Sequence, residues 1–456
     1  MLVAEHRRKW WVLTAMGGVM GVILLDETVV GVALPTMRHD LAMSEATSHW
    51  VINAYLLVFA GLAAAGGKMG DLIGHKVTML GAVLLFGLSS LACGFAVDGT
   101  TLIVARIVQG IGAALIFPVS LAMVSIAFPP DERGMALGIY SAAGTCFLAL
   151  GPFVGGLMID VLSWRWIFWI NPFVAAAIGF MVLAAWRDPE RDAPPGRMDW
   201  PGLVTLVAGL SMIVFALMEG PELGWADPII LGLLVGGFAM MAIFTIVEAR
   251  IKPPLIDIAM FRSGSFTVSN LVIFAAQFNQ MAVVIFGALY LQDILGMSPL
   301  MTGVALLVAV GAVPITAVPT GRLTDRWGAK KVALTGLLMA TVAQLWLGIA
   351  SGWQSYAVMI PALTAWGMAN AAMFVAPRHI ITAAIPIAKH GQASGIMMTM
   401  QQLGATLGVA VMALFYTITG SYGSAFFVTC VMTFLVLVLT VLFVRSDSSG
   451  ADRSVP

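Results

Sequence analysis

Apolar residues in this chain run on for about twenty positions at a time, the length a helix rising about 1.5 Å per residue needs to cross a hydrocarbon layer of about 30 Å. Short polar stretches, many carrying Gly or Pro, separate the runs. The pattern predicts spanning helices near 11–34, 49–68, 77–97, 101–124, 135–159, 166–186 and 200–218, then near 228–248, 266–292, 299–320, 331–351, 354–376, 391–416 and 423–444. Fourteen is an even number, so both termini are expected on one side of the membrane.

Basic residues check that count, because a missed or invented span would scramble the alternation of basic and non-basic loops. Of 23 Lys and Arg residues, twenty fall on the side of the termini, Arg38 and Arg165 on the other, and Arg106 within a span. This asymmetry predicts cytoplasmic termini in a multi-pass protein of the cytoplasmic membrane. The opening MLVAEHRRKWW imitates the basic start of a secretory signal. The apolar run behind it is about 24 residues long, contains Asp26 and ends at Pro35 rather than at a small-residue cleavage site, so it is expected to stay as the first span.

Composition agrees: 60% of residues are apolar and 10% are charged, where soluble domains carry about 25% charged. Water could not solvate such a surface, so the bilayer is the expected partner. The formal net charge is zero, which gives no reason to expect nucleic acid or another polyanion. Cys93, Cys146 and Cys430 lie inside apolar runs without metal-ligand spacing and read as packing residues, so no metal site is expected.

The chain repeats itself. GKMGDLIGHKV (67–77) and GRLTDRWGAKKV (321–332) share GxxxDxxG in register at an offset of 254, and RGMALGI (133–139) matches HGQASGI (390–396) at nearly the same offset. Both copies precede helices of the same direction, which implies parallel repeats about an axis along the membrane normal. The expected organisation is an all-α membrane protein: a six-helix bundle over 1–190, a linker with two inserted spans over 191–254, a second six-helix bundle over 255–446 and a cytoplasmic tail over 447–456.

Five stretches, in order, resemble a known family, the fourteen-helix branch of the drug:H+ antiporters within the major facilitator superfamily. LDETVVGVALP (25–35) is similar to that branch's first-helix signature, whose Asp is the expected protonation site. GKMGDLIGHK (67–76) looks like the superfamily loop motif with Gly67, Asp71, Gly74 and Lys76, and LIVARIVQGIGAALIFP (102–118) like the fourth-helix motif with its membrane Arg. ALGPFVGG (149–156) resembles the fifth-helix antiporter motif, here Gly151, Pro152, Gly155 and Gly156 with Gly144 upstream, and WRWIFWINP (164–172) the start of the branch's sixth helix. The resemblance implies a major facilitator fold and proton-coupled export of drugs or other lipophilic, cationic small molecules by a monomer, with protons as coupling ion and no cofactor. Glu27 beside Asp26, and Gly31 where an Asn is common, leave open which carboxylate titrates.

The residues support that chemistry independently. Asp26 lies about eight residues, roughly 12 Å, from the expected outer end of the first helix. A carboxylate near the middle of a membrane helix costs about 2.5 to 3.5 kcal/mol on insertion scales, so it is expected to face a cavity, pair, or hold a proton. Desolvation favours the protonated form and a cationic cargo favours the ionised one, so either ligand can expel the other. Arg106, at comparable depth on the fourth helix, cannot neutralise itself and needs acceptors, with Gln109 one turn away; a proton relay or a static pair with Asp26 are both open. Asp71 and Asp325, in cytoplasmic loops, are expected to gate by capping helix starts on the opposite repeat: Asp71 near 391, Asp325 near 135 beside Arg133. The glycines of the fifth helix, with Gly404 and Gly408 in its mate, are expected to bring those two helices across the repeat interface. Polar or aromatic residues in apolar helices are the substrate-binding candidates: Asn53, Tyr55, Gln109, Tyr140, Gln277, Gln280 and Gln401. GLAAAGGKM (61–69) lacks the Ser or Thr and the spacing of a P-loop, so ATP is not the expected energy source, and no catalytic constellation appears. A narrow exporter of one metabolite, peptide or lipid remains the alternative.

Overall fold

The computed structural model describes residues 5–129, 132–188, 198–251, 254, 258–385 and 390–444. Among these, fourteen helices are long and apolar enough to cross a membrane. They are α1 (Glu5–Asp40), α2 (Glu45–Ile73), α3 (His75–Gly94), α4 (Gly99–Ala127), α5 (Arg133–Val161), α6 (Trp166–Ala185) and α7 (Trp200–Leu223). Then follow α8 (Pro228–Arg250), α9 (Gly264–Ile294), α10 (Pro299–Trp327), α11 (Ala329–Ala350), α12 (Tyr356–Ala383), α13 (His390–Thr419) and α14 (Tyr422–Phe443).

Every predicted span is present, and most run further at one or both ends. α1 does not stop at Pro35 as expected but continues to Asp40. A proline removes only one backbone bond, here that to Gly31, and spanning helices tolerate the loss where neighbours pack around it. Asp26 therefore sits fourteen residues, about 21 Å, from that helix end, deeper than the sequence suggested. α9 carries two π-helical turns, Ala282–Phe286 and Tyr290–Ile294, and such turns gather at functional sites.

The internal repeat is visible in the backbone. One glycine alone joins α2 to α3, Gly74 at φ 103° and ψ 142°, and one alone joins α10 to α11, Gly328 at φ 85° and ψ 143°. Side chains resist that region and glycine does not, which is why both copies of the motif end on Gly.

In the first bundle α1 packs on α4 and α5, α2 on α4, and α3 on α4 and α6; in the second α9 packs on α12, α13 and α14, and α11 on α12 and α14. The bundles meet where α5 lies against α10, α2 against α13, and α1 against the π-helical part of α9. α1 and α9 have 83% and 89% of their apolar windows buried, against 17% for α8. The first two are thus central, and α8, with Val235, Phe238 and Ile246 exposed, presents its side chains outward to lipid. The fifth helix and its mate do each cross the repeat interface, but onto α10 and α2, not onto each other.

Candidate functional site

Asp26 and Glu27 are consecutive on α1, so a helix of 3.6 residues per turn aims them about 100° apart. Asp26 turns into the first bundle. Arg106 Nη1 donates to Asp26 Oδ2 at 2.5 Å and to Gln109 Oε1 at 2.8 Å, its Nε donates to the Val51 carbonyl at 3.1 Å, and Gln109 Nε2 donates to Asp26 Oδ1 at 3.3 Å. The guanidinium also lies over the Tyr55 ring, 4.0 Å from its centroid. Asp26 and Arg106 are each 1% exposed. Burial of a charge pair is tolerable where further hydrogen bonds take up its lone pairs and N–H groups, and here Gln109 and the Val51 carbonyl supply them. The structure thus joins four of the predicted residues, Asp26, Arg106, Gln109 and Tyr55, into one cluster.

Glu27 turns the other way, into the seam between the bundles. Its Oε2 accepts from Gln277 Nε2 on α9 at 3.5 Å, its Oε1 from Gln402 Nε2 on α13 at 3.3 Å, and Gln401 Nε2 donates to Gln277 Oε1 at 3.4 Å. Among the described residues no cation forms an ion pair with Glu27, which is 2% exposed. Gly31, one turn on, makes the approach possible: a Cβ there would meet Ile285 Cγ1 at 3.2 Å and its Cα at 3.5 Å. Glu27, Gln277, Gln401 and Gln402 therefore come together.

Other substrate candidates are placed apart from this pair of clusters. Gln280 accepts from Asn370 Nδ2 at 3.1 Å within the second bundle, and Tyr140 shares a 2.7 Å hydrogen bond with Ser120 within the first. Asn53 donates to Met218 Sδ of the inserted α7 at 3.0 Å. The fifth-helix glycines divide. Gly144, Gly151 and Gly155 let α5 close on α1, whereas Gly156 meets Pro299 and Leu300 of α10, an approach returned by Gly303 against Pro152. Gly404 and Gly408 seat α13 on Phe274 and Phe278 of α9 in their own bundle.

At the face opposite the termini, contacts close the seam. Arg38 pairs with Asp293 at 3.4 Å, Tyr422 donates to the same carboxylate at 2.8 Å, and Gln292 donates to the Val32 carbonyl at 2.9 Å. His49 of α2 stacks on Phe286 of α9 with 5.5 Å between ring centroids. Sequence reasoning did not select these residues, although Arg38 was legible as one of two basic residues on the far side. At the other face, Asp71 is exposed and 3.9 Å from His75 of its own turn. The Lys76 backbone N–H donates to Asp188 at 3.1 Å and its Nζ to the Trp186 carbonyl at 3.4 Å, while Gly67 lies against Pro118. Asp325 is exposed and forms no ion pair among the described residues. The side chains of 133 and 390–392, needed to judge the expected caps, lie outside the described residues.

Two parallel helical bundles meeting on a seam that holds a buried carboxylate define a multi-pass membrane transporter. The chain belongs to the Major Facilitator Superfamily, whose description matches residues 16–255 and 270–456. It is 36% identical over 423 residues to the puromycin resistance protein of Streptomyces alboniger, covering 89% of this chain and 81% of that one. The tetracenomycin C resistance and export protein of Streptomyces glaucescens is 32% identical, at 89% and 75% coverage. The methylenomycin A resistance protein of Bacillus subtilis is 29% identical, at 96% and 95%. The fold also matches the crystal structure of the POT family transporter PepTSo, with a TM-score of 0.69, 14% identity and coverage of 96% and 98%.

Proposed function

We propose that this protein is a proton-coupled antiporter that exports lipophilic, cationic small molecules from the cytoplasm by alternating access of its two bundles. Both termini then face the cytoplasm, a reading the distribution of basic residues supports, and the Arg38–Asp293 seam belongs to the outer side. The observation that carries the reading is the pair of buried carboxylates, Asp26 and Glu27, on a central helix where the bundles meet. A carboxyl in low-dielectric surroundings must be balanced by a proton or a cation, so cargo and proton become alternatives at one place. The outer contacts close one end of the route while the other end exchanges with the cytoplasm; Asp71 and Asp325 are assigned to the inner gate. Protons replace any cofactor, and one chain suffices.

The test is reconstitution in liposomes with an imposed proton gradient and no ATP. Uphill movement of a fluorescent lipophilic cation, collapsed by a protonophore and absent in the Asp26→Asn/Glu27→Gln double variant, is expected. Equal transport with and without the gradient would refute proton coupling. Relatives named for a single antibiotic, puromycin or methylenomycin A, favour a narrow cargo range as the second reading. A panel of unrelated cations, of which only one moves, would establish it.

A further inference from the structure

Resting on the proton-coupled export proposed above, we propose that Glu27, rather than Asp26, is the carboxyl at which proton and cargo compete, and that the cargo is a protonated amine held between Glu27 and the Gln402 side chain.

The two neighbours differ in what already satisfies them. Both oxygens of Asp26 are engaged, one by Arg106 and one by Gln109, and Arg106 is itself fixed by Val51 and Tyr55. A proton arriving at Asp26 would strand a guanidinium that cannot release its own, in a fully buried site. That pair is built to stay. Glu27 has two amide donors at 3.3 and 3.5 Å, well beyond the roughly 2.9 Å of a good N–H···O bond, and among the described residues it forms no ion pair. Such bonds are weak and cheaply exchanged for a stronger one. A carboxyl held there can be neutralised by a proton or by a cation beside it, and one excludes the other. One positive charge enters as one proton departs, so the site keeps its charge through the exchange.

The geometry also selects the cation. Gln402 is 1% exposed and its Oε1 has no hydrogen-bond partner, although its Nε2 reaches Glu27. A buried acceptor beside a carboxylate suits a group that carries both charge and N–H donors, which a protonated amine does and a quaternary ammonium does not. The place of the site matters equally. Gln277 and Gln402 belong to the second bundle and Glu27 to the first, so occupancy is felt by both bodies. The half-buried Gln401 donates to Gln277, extending the amides from Glu27 toward a more accessible position.

The experiment is calorimetric titration of the purified full chain with doxorubicin, a protonated amine, in two buffers of different ionisation enthalpy, alongside neutral chloramphenicol. Wild type is expected to release about one proton per amine bound, because the amine replaces the proton on one carboxyl. Glu27→Gln should abolish the release and weaken amine binding about tenfold or more, the loss of a charge-assisted bond. Glu27→Asp, which keeps a carboxyl at the same place, should retain release. Gln402→Leu should weaken the amine but not its N,N,N-trimethyl analogue, a readout that stands if Glu27→Gln does not fold. Release surviving in Glu27→Gln, or lost in Glu27→Asp, overturns the inference. So does a wild type that exchanges chloramphenicol for protons and ignores the amine, which leaves the export reading intact; a wild type driven by no proton gradient refutes that reading itself.

Discussion

Removing Arg106 alone should destabilise the protein far more than removing Arg106 and Asp26 together. Both side chains are 1% exposed, and Arg106 makes three hydrogen bonds, to Asp26, Gln109 and the Val51 carbonyl. Arg106→Leu leaves Asp26 buried with only the Gln109 amide, and breaking a buried pair from one side costs about 3 to 5 kcal/mol. In Asp26→Asn/Arg106→Leu no charge remains; the loss reduces to one or two neutral hydrogen bonds, about 1 to 2 kcal/mol. The coupling energy of the cycle should therefore exceed about 2 kcal/mol. Reversible unfolding in mixed detergent micelles, followed by tryptophan fluorescence, measures all four proteins. Additive single effects would refute the claim that this pair is closed upon itself.

The Arg38–Asp293 pair is partly exposed, so Asp293→Ala should cost no more than about 1 kcal/mol, a shift of up to about fivefold toward the outward-open form. Labelling of a cysteine placed at Val32 by an impermeant maleimide reads that shift, and an unchanged rate would deny the gate. Gly303→Val should push α5 and α10 apart, because its side chain would meet the Pro152 backbone; overpacking of about 1 to 3 kcal/mol should slow transport while the protein still elutes as a single folded species. Gly18→Ala, where an added Cβ has nothing within 4 Å, is the control expected to transport normally. Glu219→Leu leaves the Trp50 indole N–H without its 2.7 Å acceptor and should lower the thermal midpoint, whereas Glu219→Gln, which keeps an acceptor, should not.

The spans were legible because their signal is length and apolarity, which the bilayer imposes whatever the tertiary contacts. Helix ends were not: α1 runs past Pro35 and α12 past Pro377, since a single lost backbone bond does not outweigh the packing on either side. The GxxxDxxG repeat foretold two equivalent turns, and Gly74 and Gly328 share their backbone angles. Asp26 and Arg106 do meet, as the sequence suggested, although the depth assigned to Asp26 was too shallow because α1 runs on past Pro35. What the sequence could not show is direction around a helix axis relative to neighbours not yet placed, so it could not say that Asp26 faces its own bundle and Glu27 the other. The π-helical turns of α9 leave no pattern in composition, and with them Phe286 and Asp293 stayed hidden.

The inserted helices bear on how two bundles can move at all. α7 lies against α2 of the first bundle and α13 of the second, so any relative rotation of the bundles must shear one of those contacts. The contacts differ in kind. Toward α2 they are directional near the far face, Trp50 donating to Glu219 and Asn53 to Met218, with Val207 seated against Gly61. Toward the second bundle they are an apolar cluster at the terminus side, Leu206 and Phe244 with Met260, Phe266, Ile273 and Ile396. Apolar contact is non-directional and survives sliding as long as area is kept, whereas a hydrogen bond weakens steeply once its angle is lost. A rocking motion is therefore expected to carry the hairpin with the first bundle and let it slide on the second.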